Sequence, residues 1–180
     1  GTQLPSVTYM PGSDRGFNIG GSGPSNYSLI EMLNVSTAGA ISDFGNLSAA
    51  TWLLGACSSR TRVVTCGSHP ASNTMESFEV ASQGNEADFG DSTIDRRSMA
   101  TFSSTTRGIF SGGDTPSPET NVIDYVTIAT AGNAADFGDL TGVRGFGSSS
   151  NANSSTRGLF CGGSTPTRVN TIDYITIAST

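Results

Sequence analysis

The chain has 180 residues, of which 35% are hydrophobic and only 13% are charged, and 23 of them are glycine. This composition does not supply amphipathic helices, so we expect one all-β domain of short strands and glycine turns. The formal net charge is −6 and all nine basic residues are arginine. We therefore expect no nucleic-acid partner, and no apolar run approaches the ~18 residues of a membrane span.

The tripeptide Asp-Phe-Gly occurs three times, in "AISDFGN" (40–46), "NEADFGD" (85–91) and "NAADFGD" (133–139). In protein kinases this tripeptide holds magnesium, but a catalytic loop occurs once in a domain, and the kinase lysine is absent from this lysine-free chain. Recurrence after 45 and then 48 residues is typical of a repeat architecture.

Four candidate strands recur in the same order in each repeat, and we name them A to D. Strand A is predicted at 6–10, 51–57, 98–102 and, in a weak glycine-rich form, around 144–150. Strand B begins with arginine and ends with glycine, at 14–21, 61–68, 106–113 and 156–163. Strand C follows a loop that contains proline, at 30–37, 75–82, 123–130 and 172–179. Strand D carries Asp-Phe-Gly, and Ser-rich, Gly-Pro and Gly-Asn turns separate the strands.

Each unit of four antiparallel strands is 45 to 50 residues long. Units of this length and kind are typical of β-propeller blades. We therefore predict an all-β propeller of four blades, with boundaries near 1–46, 47–91, 92–139 and 140–180. The last unit has no Asp-Phe-Gly segment. The four blades either form a small ring with an incomplete last blade or belong to a larger or oligomeric propeller.

Strands B and C each carry one charged position that recurs in every unit. The basic position is occupied by Arg15, Arg62, Arg107 and Arg157, and the acidic position by Glu31, Glu76, Asp124 and Asp173. These side chains form either a ring of ligand-binding or acid–base groups, or one structural arginine–carboxylate pair in each blade. We favour the structural pair, because it recurs with the blade and balances charges beside apolar positions.

The Asp-Phe-Gly segments are predicted to be structural. We expect the aspartate to turn the chain, the glycine to permit the bend, and the phenylalanines to pack between neighbouring sheets, at Phe44, Phe89 and Phe137. Asn46, Asp91 and Asp139 follow the aspartates by three residues, so a calcium site is the alternative interpretation of this oxygen-rich segment.

The three cysteines do not form an even disulfide framework. Cys57 and Cys66 flank a predicted hairpin turn, so they are either small buried thiols, which we favour, or partners across two strands. With one histidine and no Cys-x-x-Cys pair, the sequence offers no zinc site, and we predict no metal and no cofactor.

The repeat resembles the kelch repeat of galactose-oxidase-like propellers, which has a "GG … YD … W" pattern. The resemblance rests on Gly-Gly at 112–113 and 162–163, on Asp-Tyr at 124–125 and 173–174, and on arginine before strand A, at Arg97 and Arg144. Phenylalanine replaces the kelch tryptophan in strand D, and the first two units match less fully. The sequence "GNAADFGDLTGVRG … STRGLFCGG … NTIDYITIAST" is also similar to repeats in structural or tail-fibre proteins of bacteriophages. This resemblance implies a virion-surface or extracellular location.

We predict a non-enzymatic structural or binding module that touches its partner through loops. The partner would be another virion or appendage protein, a copy of the same chain or a cell-surface glycan, because polar loops suit hydrogen bonding to either class. In a meander the B–C and D–A loops share one face, where we expect the contacts of Asn26, Tyr27, His69, Asn73, Asp114, Glu119, Arg168 and Asn170. The alternatives are a glycosidase-like hydrolase with paired carboxylates and a purely structural interaction propeller.

Overall fold

The computed structural model describes residues 14–37, 39–116, 118–145 and 153–177. Every regular element in these ranges is a β-strand, so the predicted all-β class is confirmed. This part of the chain has no helix that could cross a membrane. The first predicted strand A, at 6–10, and most of the last one, at 144–150, lie outside the described residues.

The first two sheets follow the predicted order of strands. The first sheet has the order β1-β2-β3, formed by Arg15–Ile19, Leu29–Asn34 and Ser42–Asn46. The second has the order β4-β5-β6-β7, formed by Gly55–Ser58, Arg62–Cys66, Ser72–Glu79 and Ala87–Arg96. All neighbours are antiparallel. Strand B was predicted within two residues of its bounds, whereas the second strand D continues past its Asp-Phe-Gly segment to Arg96.

The third sheet repeats the second, whereas the fourth is shorter. The third consists of β8 to β11, formed by Ala100–Ser103, Arg107–Ser111, Val122–Thr127 and Ala135–Asp139. The fourth pairs β12, Arg157–Cys161, with β15, Ile172–Thr176. Between them a small hairpin of β13 and β14, Ser164–Thr165 and Thr167–Arg168, occupies the B–C loop.

Three hydrophobic clusters join the sheets in chain order. In the cluster between the first and second sheets, Phe17 lies edge-on to Phe44 and Phe78, with ring centroids 5.0 and 5.1 Å away. The next cluster includes Val64, Phe89 and Phe110, and the third includes Phe102, Ile109 and Phe160. No cluster in the described ranges joins the first sheet to the fourth, so the described sheets do not close into a ring.

Each Asp-Phe-Gly segment lies inside strand D and forms a β-bulge. In the second sheet Met75 is opposite Gly90 and Glu76 is opposite Asp88, which leaves Phe89 as the extra residue. The same shift occurs beside the Asp-Phe-Gly segments of β3 and β11. The prediction that the aspartate turns the chain was therefore wrong, because a bulge bends the strand without ending it.

The bulged phenylalanines differ in burial. Phe44 and Phe89 are buried between consecutive sheets, as the sequence predicted. Phe137 is half-buried and packs edge-on against Tyr125 of its own sheet, at 5.9 Å. Backbone bonds from the next unit extend each contact, because Gly84 N donates to Phe44 O and Gly132 N donates to Phe89 O.

Candidate functional site

An ion pair with a buried arginine recurs in the third and fourth units. Arg96 is the last residue of β7 and its guanidinium bonds the Asp124 carboxylate of β10, with both side chains fully shielded from solvent. Arg144 bonds Asp173 in the same way. Arg96 and Arg144 each lie eight residues after the aspartate of the preceding Asp-Phe-Gly, so the two pairs occupy equivalent positions in the repeat.

The same carbonyl oxygens surround each guanidinium. Arg96 Nη1 donates to the carbonyls of Gly112 and Val122, at 3.4 and 3.1 Å. Arg144 Nη1 donates to those of Gly162 and Thr171, at 3.4 and 3.2 Å. The glycines follow strand B, while Val122 begins strand C of the third unit and Thr171 immediately precedes strand C of the fourth. The guanidinium therefore lies at the B–C end of its sheet.

The predicted pairing of strand B arginines with strand C acids was wrong. Arg62 pairs with Glu79 at 2.8 Å, and not with Glu76. Register is the reason, because Arg62 is opposite Glu79 whereas Glu76 is opposite Thr65. Glu76 and Glu79 are three residues apart along strand β6, which is a distance of roughly 10 Å.

The other strand B arginines also lie away from the strand C acids. Arg107 and Arg157 stack over the rings of Tyr125 and Tyr174, at 4.6 and 4.8 Å. Arg15 donates to the carbonyl of Val80 in the second sheet, and Glu31 accepts a bond from Asn18. These four arginines therefore stabilise the strands and the contacts between sheets. The carboxylates at Asp124 and Asp173 bond arginines of the D–A segments instead.

Repeated backbone bonds hold the B–C loops against the D–A segments. Gly21 N donates to Thr51 O and Gly113 N donates to Arg144 O, both at 2.9 Å. Both glycines have positive φ, at 129° and 112°, a conformation that glycine adopts without steric cost. The two kinds of loop therefore meet at one end of the sheets, which we call the loop face.

Four of the eight predicted contact residues are exposed on the loop face. They are Asn26, Tyr27, Arg168 and Asn170. The ring of His69 is half-buried and lies 4.9 Å from that of Trp52, and Glu119 is also half-buried.

The other two predicted positions, Asn73 and Asp114, are not exposed. Asn73 belongs to strand β6 and not to a loop, and its carbonyl accepts a bond from Ser92. Asp114 is buried beside Arg97, because its backbone bridges to Arg97 and to Glu119. Burial raises the pKa of Asp114, an effect that Arg97 partly offsets. Asp114 therefore belongs to the framework under the loops.

The second unit has threonine in place of the buried arginine. Thr51 lies eight residues after Asp43, and its carbonyl accepts from Gly21 as that of Arg144 accepts from Gly113. Its hydroxyl accepts a bond from His69 N at 3.2 Å. A threonine side chain is far shorter than an arginine, so the volume that a guanidinium fills in the next two units is left open here.

A cavity of about 230 Å³ lies at this place, between the B–C loop and the D–A segment of the second unit. Its lining includes Thr51, Thr65, His69, Glu76 and Glu86. Sites for drug-sized ligands measure roughly 300–1,000 Å³, so this cavity suits a small group or the end of one side chain.

Glu86 lines the cavity and has a pKa well above its usual value. Its Oε1 accepts a 2.7 Å bond from the Thr65 hydroxyl, while its Oε2 is shielded from solvent and receives no bond from the described chain. Burial, and then the neighbouring Glu76 carboxyl, raise the pKa of Glu86 to about 8. Near neutral pH Glu86 therefore retains a proton beside the neighbouring Glu76 carboxyl.

Sequence reasoning missed the cavity, although the repeat contains a signal for it. Thr51 replaces arginine, Thr65 stands where the next two units have Phe110 and Phe160, and Glu86 stands in the place of Ala134. All three replacements fall on cavity-lining residues of one unit. Comparison of the columns for departures from the repeat would have found them.

Two of the cysteines are buried thiols of the second sheet. Cys57 and Cys66 are free and buried, and the register places them opposite Val64 and Gly55. Burial raises the pKa of Cys66 to about 11, so its thiol stays protonated near neutral pH. The described ranges contain no group of three or more His, Cys, Asp or Glu side chains arranged to hold a metal ion.

Comparison with known proteins gives no family assignment. No protein-family model matches the chain, and no curated protein matches it. The fold and the loop face are therefore the observations on which a function can be argued.

Proposed function

We propose that the chain is a non-enzymatic binding module made of kelch-like propeller blades, and that its loop face binds the partner. One observation carries this proposal: the backbones of the B–C loops of the first and third units are held by the same bond, whereas their side chains differ. Gly21 and Gly113 make equivalent bonds, but Tyr27 and Glu119 are unrelated residues at neighbouring loop positions. A fixed framework with variable polar side chains suits recognition.

The repeat also supports assembly into a closed propeller. Hydrophobic clusters join each sheet to the next, which is how blades stack around a ring. The described sheets would complete a ring with further blades or with other copies of the chain. Closure would bring the loop faces of all units to one side of the ring.

The proposed partner is a protein or glycan at a virion surface or in an extracellular setting. The exposed loop residues include Tyr27, Arg168 and Asn170, which supply a ring for stacking and polar groups for hydroxyls. The virion setting rests on the resemblance of the repeat sequence to structural proteins of bacteriophages. The loop chemistry is compatible with a protein partner and with a glycan partner.

Glycan-array binding tests the loop face. We expect Tyr27→Ala combined with Arg168→Ala to abolish binding of any glycan that the parent protein retains. Arg60→Ala is the matched control, because Arg60 is exposed in the A–B turn at the opposite end of the second sheet. Equal binding by the double variant would remove the loop face from the proposal for glycans. The same variants in a binding assay with appendage proteins test the alternative class of partner.

The Glu76–Glu86 pair is the observation that favours a hydrolase, since it breaks the symmetry of the repeat. Glycosidases hold their two carboxyls about 5–5.5 Å apart when they retain configuration and farther apart when they invert it, with a sugar ring between them. The cavity of about 230 Å³ is smaller than the roughly 300–1,000 Å³ of sites for drug-sized ligands. We therefore propose binding as the use of this pair, and we expect no turnover in a screen of chromogenic glycosides.

A further inference from the structure

The second unit keeps most of the groups that surround a guanidinium in the third unit. Arg96 is bonded by the carboxylate of Asp124 and by the carbonyls of Phe110, Gly112 and Val122. The corresponding residues of the second unit are Glu76, Thr65, Gly67 and Thr74, and all four line the 230 Å³ cavity.

Register confirms this correspondence. Glu76 is opposite Thr65 in the second sheet, as Asp124 is opposite Phe110 in the third. Gly67 is equivalent to Gly112, because both make the same backbone bond. Gly67 N donates to Thr74 O and Gly112 N donates to Val122 O, and each carbonyl lies two residues before the strand C acid. The backbone that cradles Arg96 is therefore present in the second unit, without the arginine.

The three replacements in the second unit make this cradle polar and open. Thr51 removes the guanidinium, and Thr65 removes the aromatic ring of Phe110 and offers a hydroxyl. Glu86 adds a second carboxyl where the third unit has alanine. Its buried Oε2 receives no bond from the described chain, which is costly unless another group donates to it.

We propose that this cavity binds a guanidinium group from outside the chain, seated as Arg96 and Arg144 are seated in the following units. The guanidinium would come from an arginine side chain of the partner or from a small guanidinium compound. This inference rests on the proposed binding function and names a ligand class for one part of the loop face.

A guanidinium fits these acceptors better than a simple cation. It is planar and directs five N–H donors into a fixed plane, so it can bond a carboxylate and several carbonyls at once. That is how Arg96 and Arg144 are bonded. Two carboxyls balance its charge. Ser68 of the B–C loop and Ala49 of the D–A segment line the cavity, so a partner's side chain would enter from the loop face.

The protonation of Glu86 is coupled to binding. Its pKa of about 8 means that near neutral pH a cation must displace a proton to pair with both carboxyls. Glu76 faces Glu86 from β6 and His69 lies on the B–C loop, while Leu47 to Thr51 of the D–A segment bring no ionisable side chain. Binding should therefore release a proton and strengthen as the pH rises from 6 toward 9.

Calorimetric titration with N-acetyl-arginine amide tests the proposal, with N-acetyl-citrulline amide as the neutral ligand of the same shape. We expect the arginine compound to bind at least tenfold more tightly than the citrulline compound. Glu76→Gln and Glu86→Gln should each weaken binding about tenfold or more. Glu79→Gln is the matched control, because Glu79 lies on the same strand, is exposed and pairs with Arg62, and it should leave binding unchanged.

Thr51→Arg tests the seat itself. The new arginine should occupy the cavity from within the chain, abolish binding of the arginine compound and raise the melting temperature. Binding that survives in this variant, equal binding of citrulline and arginine, or no binding of either compound would overturn the proposal. Melting curves of the two glutamine variants show whether a loss of binding reflects unfolding.

Two further arms separate the sources of the guanidinium and the two proposals. Tighter binding of an Ala-Arg-Ala peptide than of methylguanidinium supports a partner's side chain, and equal binding supports a small compound. The Tyr27→Ala and Arg168→Ala variant should still bind the arginine compound, because neither residue lines the cavity. Failure of the loop-face proposal therefore leaves this result intact, and the reverse also holds.

Discussion

Arg96 and Asp124 form an ion pair in which neither side chain has any exposed surface. Thr93 adds two bonds to the same carboxylate, from its backbone N at 3.1 Å and its hydroxyl at 2.7 Å. Removal of one partner of such a pair leaves a buried charge without compensation, which costs far more than the pair itself contributes.

We predict that Asp124→Ala lowers the free energy of unfolding by about 3–5 kcal/mol, as measured by urea denaturation. The comparison is Glu79→Ala, which breaks the partly exposed pair with Arg62 and should cost less than about 1 kcal/mol. If both variants unfold at the same urea concentration, the buried pair has no special structural role.

The strands were predictable because their signals are local. Arginine begins strand B, Gly-Gly ends it, and alternating apolar residues mark strand C, so Arg107 and Gly112 fell within a few residues of their predicted places. The partners of the charged side chains were not predictable. They depend on the register between strands and on a bulge at Phe89, which no local signal in the sequence states.

The cavity was missed for a different reason. It arises from what the second unit lacks, and a search for recurring residues passes over a column in which one copy departs. Neither Thr51 nor Glu86, taken alone, indicates a site in the sequence. Their importance follows from the fold, which places both residues in the lining of one cavity.

The bulged phenylalanine of the second unit should be important for stability. Phe89 is 2% exposed and packs in one cluster with Val64 of its own sheet and with Phe110 and Ile128 of the third unit. We predict that Phe89→Ala costs about 3–5 kcal/mol, the range for a buried aromatic ring. Phe137→Ala is the matched variant in β11, and its cost should be smaller because Phe137 is half-buried. An equal loss in the two variants would contradict this account.

The glycine of the same bulge should resist any side chain. A Cβ on Gly90 would lie 2.6 Å from the carbonyl carbon and oxygen of Gly132. The φ of 138° at this position would also strain any residue other than glycine. We predict that Gly90→Ala destabilises the protein by at least about 2 kcal/mol. Gly84→Ala is the control, since a Cβ there meets no atom within 4 Å, and its effect should stay within about 0.5 kcal/mol. Thermal unfolding of both variants measures the difference.

Glu86 should make the stability of the protein depend on pH. Burial, followed by the Glu76 carboxyl, raises its pKa from 4.5 to about 8, so the folded state binds the proton more tightly than the unfolded chain. The stabilisation is fully present below pH 4.5 and is lost as the pH rises through 8. Glu76 and His69 also line the cavity, so the measurement must compare variants and not pH values alone.

We predict that Glu86→Gln removes this dependence, because glutamine keeps the shape and the donor of the protonated acid. The melting temperature of the variant relative to the parent should rise by on the order of 5 °C between pH 5 and pH 8.5. Glu79→Gln should show no such trend, since Glu79 is exposed on the same strand. A constant difference between Glu86→Gln and the parent across this range would mean that Glu86 is ionised in the folded protein.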